Sequence, residues 1–345
     1  MPDRERYWDC LDHALQASSE GHGDEALTWF DEALKVNPNG GEAHSGRGEI
    51  LWDEGRHEDA LREFRRALEL DPDLYSAHLN CAELLIEEFG EHEEAISACD
   101  ELLMRRLEPS IEAEVYYLKA KALFYLDDMD GALFLLRRAI KVEGEVAVYR
   151  AFEGQILFEL GRYEDARQSL ERSLALDPEN SHALYYEGLV LEHLGEDEAS
   201  ESLLRRAARL APDQYPLPVH MDPEDFEAVA VAALEELPAK VRAYVARCPL
   251  RIEDLPSREL VQSENVSPQI PGLFSGAPRT DLELGSEGGP PRSLPTDRIL
   301  LFKRNLEKFA HTRKELIEEI HRTVKHEIGH FLGLAEQELE RLGLG

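Results

Sequence analysis

A period of 34 residues runs through the first 212 positions of this chain. Pro38 and Pro72 are 34 apart, and so are Pro178 and Pro212. Ahead of each proline stands a triplet of small, apolar and small residues: Ala26, Phe30, Ala33; Ala60, Phe64, Ala67; Ala166, Leu170, Ser173; Ser200, Leu204, Ala207. Earlier in the units come Gly48 with Leu51, Gly154 with Leu157, and Gly188 with Leu191. Turn glycines recur at Gly55, Gly161 and Gly195. Two less regular units fit between. One runs from about Tyr75 to Pro109 with a few extra residues, and the other carries Ala120, Leu123, Ala132, Leu136 and Ala139. Six units thus cover about residues 7–212. Such a repeat leaves little freedom of fold. One unit cannot bury its apolar face alone, so neighbours must stack. Small residues where two helices cross permit close approach, and proline ends the second helix because it lacks an amide donor.

The second constraint lies near the other end. His326-Glu327-Ile328-Gly329-His330 puts two histidines four apart, on one face of a helix and within reach of one metal ion. Glu327, beside the first histidine, is placed to act as a base toward metal-activated water. Gly333 permits a sharp turn that brings Glu336 back as a third ligand, with Glu338 or a residue of the 256–297 segment as alternatives. Three protein ligands leave one coordination position open, the arrangement of catalytic rather than structural zinc. Two imidazoles and a carboxylate suit Zn2+ best among the common divalent ions. The setting is helical. Thr312 with Glu315 forms a capping-box start, and Leu316, Ile317, Ile320, Val324, Ile328 and Phe331 recur at helical spacing. The spacing predicts a helix from about Arg313 to Leu332. His321, five residues before His326, falls on a different face and reads as a surface residue.

The 345 residues suffice for two or three domains, and 43% apolar residues suffice for real cores. No apolar run reaches the roughly 18 residues of a membrane span, and the charged start Met1–Trp8 has no apolar signal core. The expectation is no membrane partner. Cys10, Cys81, Cys99 and Cys248 form no C-x-x-C pair and read as buried thiols in a reducing cytoplasm. The formal net charge is −33. Residues 1–212 hold 22 Lys and Arg against 48 Asp and Glu, while residues 213–345 hold 16 against 23. Nucleic acid is disfavoured as a partner by this field, and a basic protein or peptide would be attracted.

Residues 1–212 are therefore expected as one domain, 213–221 as a linker and 222–345 as a second domain. Pro212, Pro216 and Pro218 mark the boundary. A helix is predicted over Asp222–Leu237, with Asp222 as N-cap and Pro223 at the first position. Val241–Val245 continues it or starts a short second helix. Leu250–Leu255 and Ile299–Phe302 are candidate strands, the latter fully buried, and the metal helix is expected next. Residues 256–297, rich in Pro, Gly and Ser, read as a long loop, either disordered or the rim of an active site.

The repeat positions resemble the tetratricopeptide repeat, a 34-residue antiparallel helix pair. The resemblance implies an all-α right-handed superhelix of about six helix-turn-helix repeats, with a concave groove for a protein or peptide segment. Some members of that family grip a C-terminal carboxylate with Lys and Asn. Here the first helices offer little beyond Asn80, Lys119 and Lys121, so that function is not carried over. Residues from about 217 to 340 resemble minimal zincin-like metallopeptidases. The marks are Glu235-Glu-Leu-Pro238, Glu253-Asp-Leu-Pro256, Gly272-Leu-Phe-Ser-Gly276, the strand after Asp297-Arg298, and Thr323–Gly333. This implies a small α/β domain with its sheet packed on the metal-bearing helix. It also implies zinc-dependent peptide hydrolysis with His326 and His330 as ligands and Glu327 as base. The family most often has Asp where this chain has Glu336. Unlike larger relatives, the chain has no histidine after Gly333 and no methionine after Met221. The leading expectation is a zinc metallopeptidase whose repeats recruit protein substrates. The alternatives are a non-catalytic adaptor with a structural or idle zinc site, and a hydrolase acting on a non-peptide amide.

Overall fold

The computed structural model describes residues 2–245, 248–276 and 298–332. These form helices paired in sequence: α1 (Pro2–Ser19) with α2 (Gly23–Val36), α3 (Gly41–Asp53) with α4 (His57–Leu70), and α5 (Tyr75–Leu84) with α6 (His92–Leu103). Then come α7 (Pro109–Tyr125) with α8 (Met129–Val142), α9 (Ala147–Glu159) with α10 (Tyr163–Leu176), and α11 (Ser181–His193) with α12 (Asp197–Leu210). The predicted six pairs are all present. A π-helical turn, Leu85–Phe89, extends α5, but the third pair keeps the regular period; the extra residues fall in the fourth pair, whose first helix α7 has 17 residues. Left-handed residues join the helices within pairs: Gly21, Gly55, Gly90, Gly161 and Gly195, with Asp127 in that role in the fourth pair. Asp is among the few side chains that tolerate this conformation, which is why no turn glycine marks the fourth unit.

The chain divides into two compact units, residues 1–156 and 157–345. In the first, the small residues act as the pattern requires. A Cβ added to Gly46 would lie 2.2 Å from the Phe30 ring, and one on Gly48 would lie 2.6 Å from Phe64. Both phenylalanines are buried, so α3 is held between the second helices of two pairs by aromatic rings that need bare backbone opposite them.

The second unit joins α10–α12 to the C-terminal elements. These are α13 (Pro223–Glu235), α14 (Ala239–Val245), β1 (Leu250–Glu253), α15 (Arg258–Glu264), β2 (Gly272–Ser275), β3 (Arg298–Phe302), α16 (Lys303–Phe309) and α17 (Arg313–Phe331). The sheet order is β1-β3-β2, with β1 parallel and β2 antiparallel to the central β3. The apolar run of β3 is explained by burial of both faces. Ile299 and Leu301 join the core of α13 and α17, while Leu300 and Phe302 pack with Leu260, Ile270 and Leu273.

Two expectations need correction. The metal helix does not follow β3 directly, because α16 intervenes. Residues 256–276 are not plain loop: Ser257 caps α15 by accepting from the Leu260 amide, and β2 adds an edge to the sheet. Residues 277–297 lie outside the described residues. The stretch expected as a linker is bound along α16. Buried Glu307 accepts from the Met221 amide at 2.8 Å and from Lys303 Nζ at 2.6 Å, and its own carbonyl accepts from the Val219 amide. Among the described residues no helix is long and apolar enough to cross a membrane.

Within the second unit His193 stacks on Tyr163 at 4.5 Å and meets the edge of Phe158 at 5.6 Å. Burial, then Lys308, Arg258 and Arg304, push its imidazole down to about 3 from an ordinary 6.5. The folded state thus holds this histidine neutral while the unfolded chain takes up a proton below pH 6.5. The stability it permits is full above 6.5 and is lost as pH falls toward 3. Denaturant midpoints between pH 7 and 4 should fall less steeply for His193→Phe than for wild type; parallel slopes would contradict this.

Candidate metal centre

The site is built on α17, which is fixed before any ligand is considered. Thr312 Oγ1 accepts from the Glu315 amide at 3.2 Å, the first half of the predicted capping box, while Glu315 Oε2 reaches one residue beyond the N-cap and accepts from the His311 amide at 2.9 Å. Leu316, Ile320, Val324, Ile328 and Phe331 are buried along one stripe. The observed helix, Arg313–Phe331, agrees with the expected span.

On this scaffold His326 and His330 bring their Nε2 atoms to 2.9 Å, with rings nearly perpendicular and centroids 4.5 Å apart. Two imidazoles on one tetrahedral zinc ion, each about 2.05 Å away, would hold their nitrogens about 3.3 Å apart. The pair needs to open by only a few tenths of an ångström, which side-chain rotation supplies, so the donor set fits zinc. Glu327 lies between them in sequence and is 6% exposed. Its Oε2 accepts from the Phe274 amide of β2 at 2.6 Å. A backbone donor at this distance fixes the direction of the carboxylate.

That amide was not legible as a site component, since backbone groups leave no mark in a sequence. Its position depends on Gly272, two residues earlier. A Cβ there would lie 2.7 Å from Thr323 Cγ2 and 3.2 Å from Glu327 Cγ. Only glycine lets the edge strand lie this close to α17. The Phe274 ring then packs edge-on against Phe331 at 5.5 Å. His321 turns away from the pair, toward Glu236 Oε2 at 3.3 Å, which also accepts from Lys325 Nζ at 3.1 Å. Glu336, Glu338 and Gly333 lie outside the described residues. Among the described residues no group of three or more His, Cys, Asp or Glu side chains could hold a metal ion.

In the first unit, successive first helices expose carboxylates to one another. Asn80 donates to Glu49 at 2.9 Å, and Lys121 meets Glu87 at 2.5 Å and Glu83 at 3.6 Å. Lys119 is engaged by Asp100. The three residues suited to gripping a terminal carboxylate are thus already committed to acids. Glu114 is held above its ordinary value by desolvation and then by Glu83 and Glu143, next to Tyr149 and Tyr117.

Gly272→Ala should force β2 off α17 and cost about 1–3 kcal/mol of stability, as overpacking does. Equilibrium unfolding in denaturant measures it, and a change below about 0.5 kcal/mol would contradict the close approach.

The Zincin-like metallopeptidase family model matches residues 245–345. Tetratricopeptide repeat models match residues 11–75, 117–167 and 153–215, and another matches 51–121. No curated protein matches the chain. Among solved structures, PilF of Pseudomonas aeruginosa is 18% identical, with a TM-score of 0.54, over 66% of this chain and 99% of that one. PilW, a widely conserved type IV pilus biogenesis factor, is 17% identical, with a TM-score of 0.55, over 60% and 94%. At such identities the likeness shows the fold alone. Residues 11–215 are tetratricopeptide repeats and residues 245–345 a zincin-like metallopeptidase domain, so the chain belongs to the tetratricopeptide-repeat proteins and carries a zincin-like domain after its repeats.

Proposed function

We propose that the chain is a zinc-dependent peptidase whose repeats recruit a protein or peptide. The observation that carries this reading is the convergence of two imidazole nitrogens beside a buried glutamate whose carboxylate is held by a backbone amide. A structural zinc site has no need of a base in that position. His326 and His330 would hold the ion, with Glu336 as the third ligand. Zinc there would supply Lewis-acid activation of water and of the peptide carbonyl at neutral pH. Glu327 takes the proton of the attacking water and delivers it to the leaving amine. The Phe274 amide keeps the carboxylate aimed between those two tasks.

The partner we propose is basic. The crowding of Glu114 with Glu83 and Glu143, on a repeat region rich in acids, would be relieved by an incoming cation. A reducing cytoplasm is the proposed setting, supported by cysteines buried as thiols, with Cys81 pushed up to about 11 and Cys99 to about 12 by desolvation.

Glu327→Gln should retain zinc while peptide hydrolysis falls by about 100- to 10,000-fold, the usual worth of a general base. Fluorogenic peptide pools that include basic sequences are the assay. Undiminished activity in the variant would remove Glu327 from the mechanism. Zinc-loaded wild type that cleaves no peptide would leave the adaptor reading instead.

A further inference from the structure

The strand that holds Glu327 is itself held by a repeat. Helix α9 ends at Glu159, at the turn of the fifth pair. Glu159 Oε2 accepts from Ser267 Oγ at 2.6 Å, and its Oε1 accepts from Gln269 Nε2 at 2.8 Å. Ser267 Oγ in turn accepts from the Gln269 amide at 3.1 Å. The same turn seats the preceding helix: Arg258 of α15 donates to Glu164 at 2.7 Å and lies over the Tyr163 ring. Gly161, left-handed at φ +66°, faces Val261, where a Cβ would come within 3.2 Å.

The opposite side of this short segment is clamped by α16. Asn305, 3% exposed, gives both amide hydrogens to backbone carbonyls, Pro268 at 2.8 Å and Ile270 at 2.9 Å. The next carbonyl, Pro271, accepts from the Phe302 amide at 2.9 Å, and β2 begins at Gly272. Residues 267–271 are therefore fixed from two sides immediately before the strand whose third residue bonds the base. A carboxylate buried against two neutral donors is a costly choice for mere adhesion, and burial raises Glu159 above its ordinary value.

We propose that Glu159 is a positioning residue for Glu327. Through Ser267 and Gln269 the fifth repeat sets the position of β2, and with it the amide that aims the base. This deepens the peptidase reading and rests on it for the role of Glu327. The last repeats are then part of the catalytic apparatus, and a ligand that shifts the 159–164 turn is felt at the base.

The test is amide hydrogen exchange of the full chain, without metal or peptide, at the Phe274 amide. Glu159→Ala should speed exchange there by about tenfold or more while α13 amides keep their protection. Glu159→Gln retains an acceptor oxygen and should restore protection to within about threefold. Arg258→Ala, which breaks a neighbouring contact of the same turn, should leave Phe274 unchanged. Unaltered exchange at Phe274 in Glu159→Ala would overturn the proposal, as would equal acceleration across α13 and β2. Should Glu159→Ala fail to fold, the Ser267→Ala/Gln269→Ala double variant carries the same expectation. With an active wild type, Glu159→Ala lowers kcat and spares KM. An inactive wild type removes the peptidase reading but leaves the exchange result to decide the positioning.

Discussion

A helix pair of 34 residues cannot bury its own apolar face, and everything else in the molecule follows from where each pair finds its cover. Inside the array the neighbouring pair supplies it, through contacts such as Phe30 of the first pair on Gly46 of the second. The last pair has no successor. In the second unit the covering role passes to elements outside the repeats. Tyr215 stacks on Tyr185 at 4.5 Å and meets His182 Nδ1 at 2.9 Å, and α16 sends Arg304 to Asp197 and Lys308 to Glu192. The C-terminal elements thus double as the terminal cap of the repeats and as the support of α17.

The ion pairs at this junction have a definite character. Lys308 and Glu192 are each about one-tenth exposed and 2.5 Å apart. Burial pulls Lys308 below its ordinary value, and the carboxylate opposes that pull. Pairs of this kind add little net stability over apolar packing, yet losing one partner strands a buried charge. They therefore fix one way of docking rather than strengthen docking in general. Glu307, which ties residues 219–221 to α16, and Asn305, which ties the approach to β2, belong to the same short helix. Seven residues between β3 and α17 carry much of the organisation around the site.

What could be read from the sequence was what is local. Small residues at fixed spacing announced the helix pairs. Thr312 and Glu315 announced the start of α17, and the four-residue spacing of His326 and His330 announced that their rings share a face. What could not be read depends on partners far away. Helix α16 is too short to persist by propensity and exists through its tertiary bonds. Strand β2 has four residues, two of them apolar between glycine and serine, and its alternation is too brief to stand out from the surrounding Pro and Gly. The Phe274 amide has no side-chain signature at all. The one available hint was Gly272, whose bare backbone proves to be the condition for close approach to Glu327.

The proposed peptidase chemistry requires a metal ion between His326 and His330. Elemental analysis of the chain purified without added metal, as wild type and as His330→Ala, tests that directly. About one zinc per wild-type chain, lost in the variant, is the predicted result. Absence of zinc from wild type even after zinc is offered would contradict the account and leave a repeat-based binding protein.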